Sequence, residues 1–208
     1  SLQPVDGAGK GTFMPGLPWY WHTTQDLFEH LGREELLRDA QIFALAIWRT
    51  VAANTYPFAF AELAGEMRSD LEKYQAEAQG KFDLSQVQAL VDRLEGQFRA
   101  LDDKIAGVNG LESLAPEQVQ QGKGVNDLWM ELDRILIPVH YCKNGDLFQV
   151  DLAIPVPAFP EFDEVKKLAA MDPASDGFKF QERQLLRERN RVYHYLNKAV
   201  KQLEAAGL

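Results

Sequence analysis

Apolar residues recur at intervals of three and four along most of this chain, the period of helices that turn one face to a core. From Arg33, the residues Leu36, Leu37, Ala40, Phe43, Ala44, Ile47, Trp48 and Val51 trace one stripe, predicted to be buried, which ends at Asn54 and Pro57. A second helix is predicted over about 58–78, with Phe60, Leu63, Ala64, Met67, Leu71 and Tyr74 on one face and Gly80 closing it. A third carries the strongest start signal. Asp83 is placed to cap it with Gln86 three residues on, and Phe82 and Val87 are placed to staple the entry. Its stripe, from Val87 through Leu94 and Leu101 to Ile105, is nearly heptad in period, which suits a packed core or a helix-to-helix interface between subunits.

The pattern then weakens. A helix over 115–137 is expected to be interrupted at Gly122 and Gly124, each costing about 1 kcal/mol relative to Ala, and to stop at Pro138. Residues 139–162 hold Pro155, Pro157 and Pro160 and read as an extended strap, with Asn144-Gly145 a hairpin signal and Phe159 and Phe162 its anchors. Residues 161–171 suggest a short helix. A last long one is predicted over about 175–206, buried through Phe178, Leu185, Val192, Leu196, Ala199 and Leu203. The sum is an all-α fold: a bundle of four or more long helices, an irregular N-terminal segment and a Pro-rich strap.

Composition narrows the function without naming it. At 208 residues, 46 % hydrophobic and 25 % charged, the chain is an ordinary globular one. A net charge of -9 argues against a nucleic-acid or anionic-membrane partner, because both select a positive footprint. No apolar run approaches the roughly 20 residues that span a bilayer. The first residues lack an export signal, which favours a cytoplasmic setting, and they lack an initiator Met, so the chain is expected to be a piece of a longer protein. The single cysteine, Cys142, forms no internal disulfide and reads as a small buried hydrophobe. Gly7-Ala8-Gly9-Lys10-Gly11-Thr12 has the look of a phosphate loop. However, Gly11 stands where Ser or Thr must follow the lysine, and Pro15 and Pro18 block the helix that would aim amides at the phosphate, so nucleotide binding is rejected.

The candidate for chemistry is His22, in Pro18-Trp19-Tyr20-Trp21-His22-Thr23-Thr24-Gln25-Asp26. A neutral imidazole is a zinc ligand, and the aromatics around it would shield a site from water. Thr23 or Thr24 would cap a short helical turn ending at Gly32. His30, His140 and His194 show no paired spacing and read as structural or surface residues. Taken alone, one histidine carries no metal signature, since catalytic zinc takes about three protein ligands.

The segment Trp21-His22-Thr23-Thr24-Gln25-Asp26, followed by the helix through Leu36-Leu37-Arg38-Asp39, resembles the end of the catalytic domain in the zinc aminopeptidase and glutamate carboxypeptidase family. There a Tyr/Trp-His-Thr-x-x-Asp segment supplies the last ligand of a two-zinc site. Ala40 to Arg49, Thr55-Tyr56-Pro57-Phe58 and the helix to Tyr74 resemble the start of that family's transferrin-receptor-like dimerisation domain. The match is clear from about Pro18 to Tyr74 and diffuse beyond.

The resemblance implies that residues 1–32 are the tail of a zinc metallopeptidase-like catalytic domain and 33–208 a helical dimerisation and accessory domain. It also implies that His22 is a zinc ligand in an incomplete site, and that Thr23 and Asp26 shape its loop. The family's other ligands and its Glu general base have no counterpart here. No residue of this chain is therefore expected to be catalytic, zinc is expected only with the full-length parent, and the chain alone is not expected to be a hydrolase. The partners implied are the upstream peptidase domain and a second copy of the chain. A stand-alone helical interaction module, or the scaffold domain of a non-catalytic relative, are the alternatives. Arg183, Arg187 and Arg191, spaced at i, i+4 and i+8, pair with neighbours such as Glu182 and Glu188 or form a carboxylate-binding stripe.

Overall fold

The computed structural model describes residues 20–109, 115–140, 142 and 158–208. The Asn144-Gly145 hairpin signal, Pro155 and Pro157 of the strap and the Gly7–Thr12 loop lie outside the described residues, while Pro160 opens a 3-10 turn, Pro160–Glu164. Among the described residues all regular structure is helical, so the fold is all-α. The chain forms two compact units, Ser1–Ala52 and Ala53–Leu208.

In the first unit, a 3-10 turn over Phe28–His30 precedes helix α1, Arg33–Ala52. The turn is preceded by Leu27, which gives no side-chain cap, and neither Thr23 nor Thr24 starts a helix. Helix α1 has the predicted span but not the predicted burial. None of its residues is buried, and Phe43, Ile47 and Trp48 are all more than 60 % exposed. Periodicity reported that this helix has a face to hide. It did not report what hides it.

The second unit is a bundle of α2 (Phe60–Glu77), α3 (Ser85–Asn109), α4 (Pro116–His140), a short α5 (Val165–Ala169) and α6 (Asp176–Ala205). Cross-links fix the directions. Asp102 of α3 meets the start of α2, while Arg68 of α2 reaches Asp92 and Glu95, so these helices are antiparallel. Arg189 and Glu204 of α6 meet Asp83 and Arg93 respectively, so α6 runs alongside α3 in the same direction. Arg191 contacts Pro138 near the end of α4, making α4 antiparallel to α6. Their facing stripes close one core, in which Met67, Leu71, Leu94, Phe98, Leu132, Leu185 and Leu196 are each 2 % exposed or less. Burial on that scale is worth about 1.5–3 kcal/mol per large side chain and is the main force holding the unit together.

Helix α6 starts at the expected place, and the Ser175 hydroxyl caps it by accepting from the Phe178 amide at 3.2 Å. It ends in a reciprocal turn, with Leu208 N–H donating to the Leu203 carbonyl and Gly207, at φ 74°, donating to Glu204. The start of α3 is corrected in detail. The Asp83 carboxylate accepts from Ser85 rather than from Gln86, while Phe82 and Val87 are both buried as the staple requires.

Helix α4 departs most from its forecast. It passes unbroken through Gly122 and Gly124, and continues through Pro138 to His140. Pro138 lies in the last turn, where carbonyls have no partner within the helix, and the Arg191 guanidinium of α6 donates to the Pro138 carbonyl at 2.6 Å. The far end of the strap region is pinned as expected, with Phe159 and Phe162 buried. Around it, Asp70 accepts from the Ala158 amide at 3.1 Å, and the Tyr74 hydroxyl donates to the Ala158 carbonyl at 3.3 Å. Lys81 donates to the Ala169 and Met171 carbonyls at 2.6 and 2.9 Å, closing the C-terminal end of α5.

Candidate functional site

His22 sits at the third position of a tight turn, Tyr20 to Thr23. The Thr23 amide donates to the Tyr20 carbonyl at 3.0 Å. His22 itself takes φ 59°, the left-handed region that is sparse for side-chain-bearing residues and several-fold enriched in His. Such a conformation persists only when neighbours over-determine it. Thr23 does so twice. Its hydroxyl donates to the Tyr20 carbonyl at 2.7 Å and accepts from the Gln25 amide at 3.1 Å. Asp26 joins through its amide, which donates to the Thr23 carbonyl at 3.2 Å. The His22 ring stacks on Trp21 at 3.7 Å, and His30 stacks on Tyr20 at 4.1 Å.

Among the described residues the expected shielding is not formed: Trp21, His22 and the residues through Leu31 are exposed, and Tyr20 is half-buried. Among the described residues no group of three or more His, Cys, Asp or Glu converges. Among the described residues, then, no co-ligand stands beside the His22 imidazole, and a catalytic zinc centre takes about three protein ligands. What the turn does is present a histidine outward in a fixed backbone posture.

The other histidines go elsewhere. His194 meets Tyr195 edge-on at 5.6 Å. His140 is buried, and burial pushes its pKa down to about 4 against an opposing pull from Asp70, so it is neutral near pH 7. Cys142 is buried and not in a disulfide. Burial, reinforced by Asp70, Asp163 and Glu77, raises the Tyr74 hydroxyl well above its usual range and keeps it a donor. The three arginines divide. Arg191 pairs with Glu188 at 2.7 Å, whereas Arg183 and Arg187 form no ion pair among the described residues.

Sequence reasoning missed a set of side chains that clamp the first residues of the second unit. Asn109 accepts from the Thr55 amide and donates to the Thr55 carbonyl, at 3.0 and 3.2 Å. Asn126 does the same to Tyr56 and Asn54, at 2.9 and 3.1 Å. Each carboxamide thus stands in for a neighbouring strand. Asp102 then accepts from the amides of Phe60 and Ala61, capping α2 from another helix. The one visible signal was Asn126 itself, a weak helix former in mid-helix. Beside the clamp, Tyr56, Phe58 and Phe60 ring Trp129 at 5.4–5.9 Å.

Comparison with known proteins adds no relative: no family model, curated protein or solved structure matches this chain.

Proposed function

We propose that this chain is the C-terminal accessory and dimerisation portion of a two-zinc exopeptidase-like protein, contributing one metal arm and no catalytic group of its own. The observation that carries the reading is the pairing of an outward His22, held in a left-handed turn by Thr23, with a helix directly after it that buries nothing. Both are incomplete as they stand. An imidazole posed at a backbone cost of about 1–3 kcal/mol is wasted without co-ligands. An uncovered apolar helix is wasted without a protein surface. A single upstream domain bearing the remaining ligands would complete both.

The chain alone is then inert, because activating water between two metals takes ligands for both. Peptidase turnover by the purified chain with added zinc would overturn this. In the longer protein, His22→Ala is expected to lower bound zinc and abolish hydrolysis while the far-ultraviolet helical signal is unchanged. Unaltered zinc content in that variant would remove His22 from the site. A stand-alone interaction module is the second reading. It is favoured by the single buried core that α2 to α6 form with one another.

A further inference from the structure

One face of α6 carries a single sign of charge over most of its length, in a chain of net charge -9. At about 100° per residue, Arg183, Arg187, Arg191, His194, Lys198 and Lys201 fall within an arc of about 80°, with Phe180 at its start. No carboxylate falls in that arc between Phe180 and Lys201. The strip is roughly 30 Å long. All of it is exposed except Arg191, which is half-buried, and the Phe180 ring is 73 % exposed.

A helix face that meets only water is ordinarily laced with pairs of opposite charge three or four positions apart. This chain uses that device elsewhere: Arg99, Arg134, Lys166 and Lys167 each pair with a carboxylate at such a spacing. On the strip only Arg191 is so paired, to Glu188. Arg183, Arg187, Lys198 and Lys201 form no ion pair or hydrogen bond among the described residues. Like charges at i, i+4 repel, so the strip weakens the isolated chain, and an anionic partner turns that repulsion into attraction.

The shape and company of the strip select the partner. Glu164 and Glu188 line the same cavity as Arg187, so carboxylates border the cations. A nucleic acid, charged all round, would meet those carboxylates and the acidic remainder of the chain. Single-strand binders also interleave cations with aromatic platforms, whereas the ring in this arc, Phe180, stands at its end. A membrane surface would need an apolar face beside the cations, and α6 turns its apolar face into the core. A second helix has the matching period: laid alongside, it presents carboxylates at the same spacing of three and four.

We propose that this face of α6 docks an acidic helix of another protein. Its Asp or Glu residues recur at i, i+3, i+4 and i+7 against Arg183, Arg187, Lys198 and Lys201, and an apolar residue near one end covers Phe180. The docking face depends neither on His22 nor on the peptidase reading.

The test is fluorescence anisotropy of a dye-labelled, alanine-based helical peptide titrated with the full chain. The peptide has about 20 residues, enough to span the strip, with Glu at that spacing and a Leu near one end. A Kd of about 10 μM is expected at low salt, weakening at least about tenfold in about 0.5 M salt because exposed charge pairs are screened. The same peptide with Gln for Glu, and a single-stranded oligonucleotide of equal length, are expected to bind at least about tenfold more weakly. Arg183→Ala with Arg187→Ala, and Lys198→Ala with Lys201→Ala, are each expected to weaken the peptide about tenfold without lowering the unfolding midpoint. Phe180→Ser is expected to weaken it about threefold, and Arg134→Ala, on another helix, to leave it unchanged. Undetectable binding, equal affinity for the Gln peptide, an oligonucleotide bound as tightly, unchanged affinity in both double variants, or an equal loss in Arg134→Ala would each overturn the proposal.

Discussion

Two glycines on one helix show how far a residue's meaning depends on what stands opposite it. Gly122 and Gly124 look alike in sequence, and both should weaken α4. At Gly122 an added methyl would overlap the Asn54 carboxamide, which donates to the Gln118 carbonyl at 3.2 Å. At Gly124 it would meet nothing. Gly124→Ala is therefore expected to stabilise the chain by up to about 1 kcal/mol. Gly122→Ala is expected to destabilise it by about 1–2 kcal/mol, since the steric and hydrogen-bond loss exceeds the propensity gain. Urea unfolding of the two variants checks the opposite signs. His140 gives a second prediction at this scale. Its pKa is lowered in the fold to about 4, against about 6.5 in an unfolded chain, so the unfolded state binds the extra proton. The stability it contributes is complete above about pH 6.5 and drains away as pH falls toward 4. About 2 kcal/mol should be lost between roughly pH 7.5 and pH 5. His140→Leu should flatten that slope, and an unchanged slope in the variant would assign the loss to other groups.

At the scale of elements, helix spans were legible and their fastenings were not. Helix α6 could be read almost to the residue because its signals are local: Ser175 in front and a single apolar stripe from Phe178 to Leu203. Helix α4 was expected to stop at Pro138 but runs on to His140, and the group that satisfies its terminal Pro138 carbonyl, Arg191, lies 53 positions away. The same holds for the clamp on residues 54–56, whose partners Asn109 and Asn126 are 54 to 72 positions distant. A carboxamide has no pattern that names its partner. At the His22 turn the local pattern suggested a helix capped by Thr23 or Thr24, whereas the positive φ of His22 and the double use of the Thr23 hydroxyl have no spacing that announces them. Asp102 tests whether such distant fastenings carry weight. Its carboxylate is the cap that α2 lacks locally, since Ala59 provides no side-chain bond. Asp102→Ala is expected to cost about 1 kcal/mol, with Asp102→Asn losing less because it keeps an acceptor oxygen. Equal losses in the two would mean that charge rather than hydrogen bonding holds the helix start.

For the whole molecule, the decisive contrast is between apolar residues that are covered and those that are not. Leu71 and Trp48 are both large, apolar and on schedule in their helices, yet Leu71 is fully buried and Trp48 is 67 % exposed. If folding alone set the sequence of α1, its outer positions would be mostly polar, as they are on α6, which exposes Lys179, Arg183 and Arg187 and, as its large apolar exceptions, Phe180 and Tyr193. Truncating Leu71 removes packed contacts and leaves a cavity, so Leu71→Ala should cost about 2–5 kcal/mol. Trp48→Ser and Ile47→Ser remove little that is packed in this chain, so each should shift stability by less than about 0.5 kcal/mol. The same two substitutions should reduce binding of a hydrophobic dye and lower any concentration-dependent mass seen by light scattering, because they interrupt the uncovered stripe. Where a neighbouring surface covers α1, as the proposed function requires, the contrast should vanish, with Trp48→Ser becoming as costly as a core truncation. A cost near 2 kcal/mol for Trp48→Ser in the isolated chain would instead mean that α1 is already covered, and the need for an external partner would fall with it.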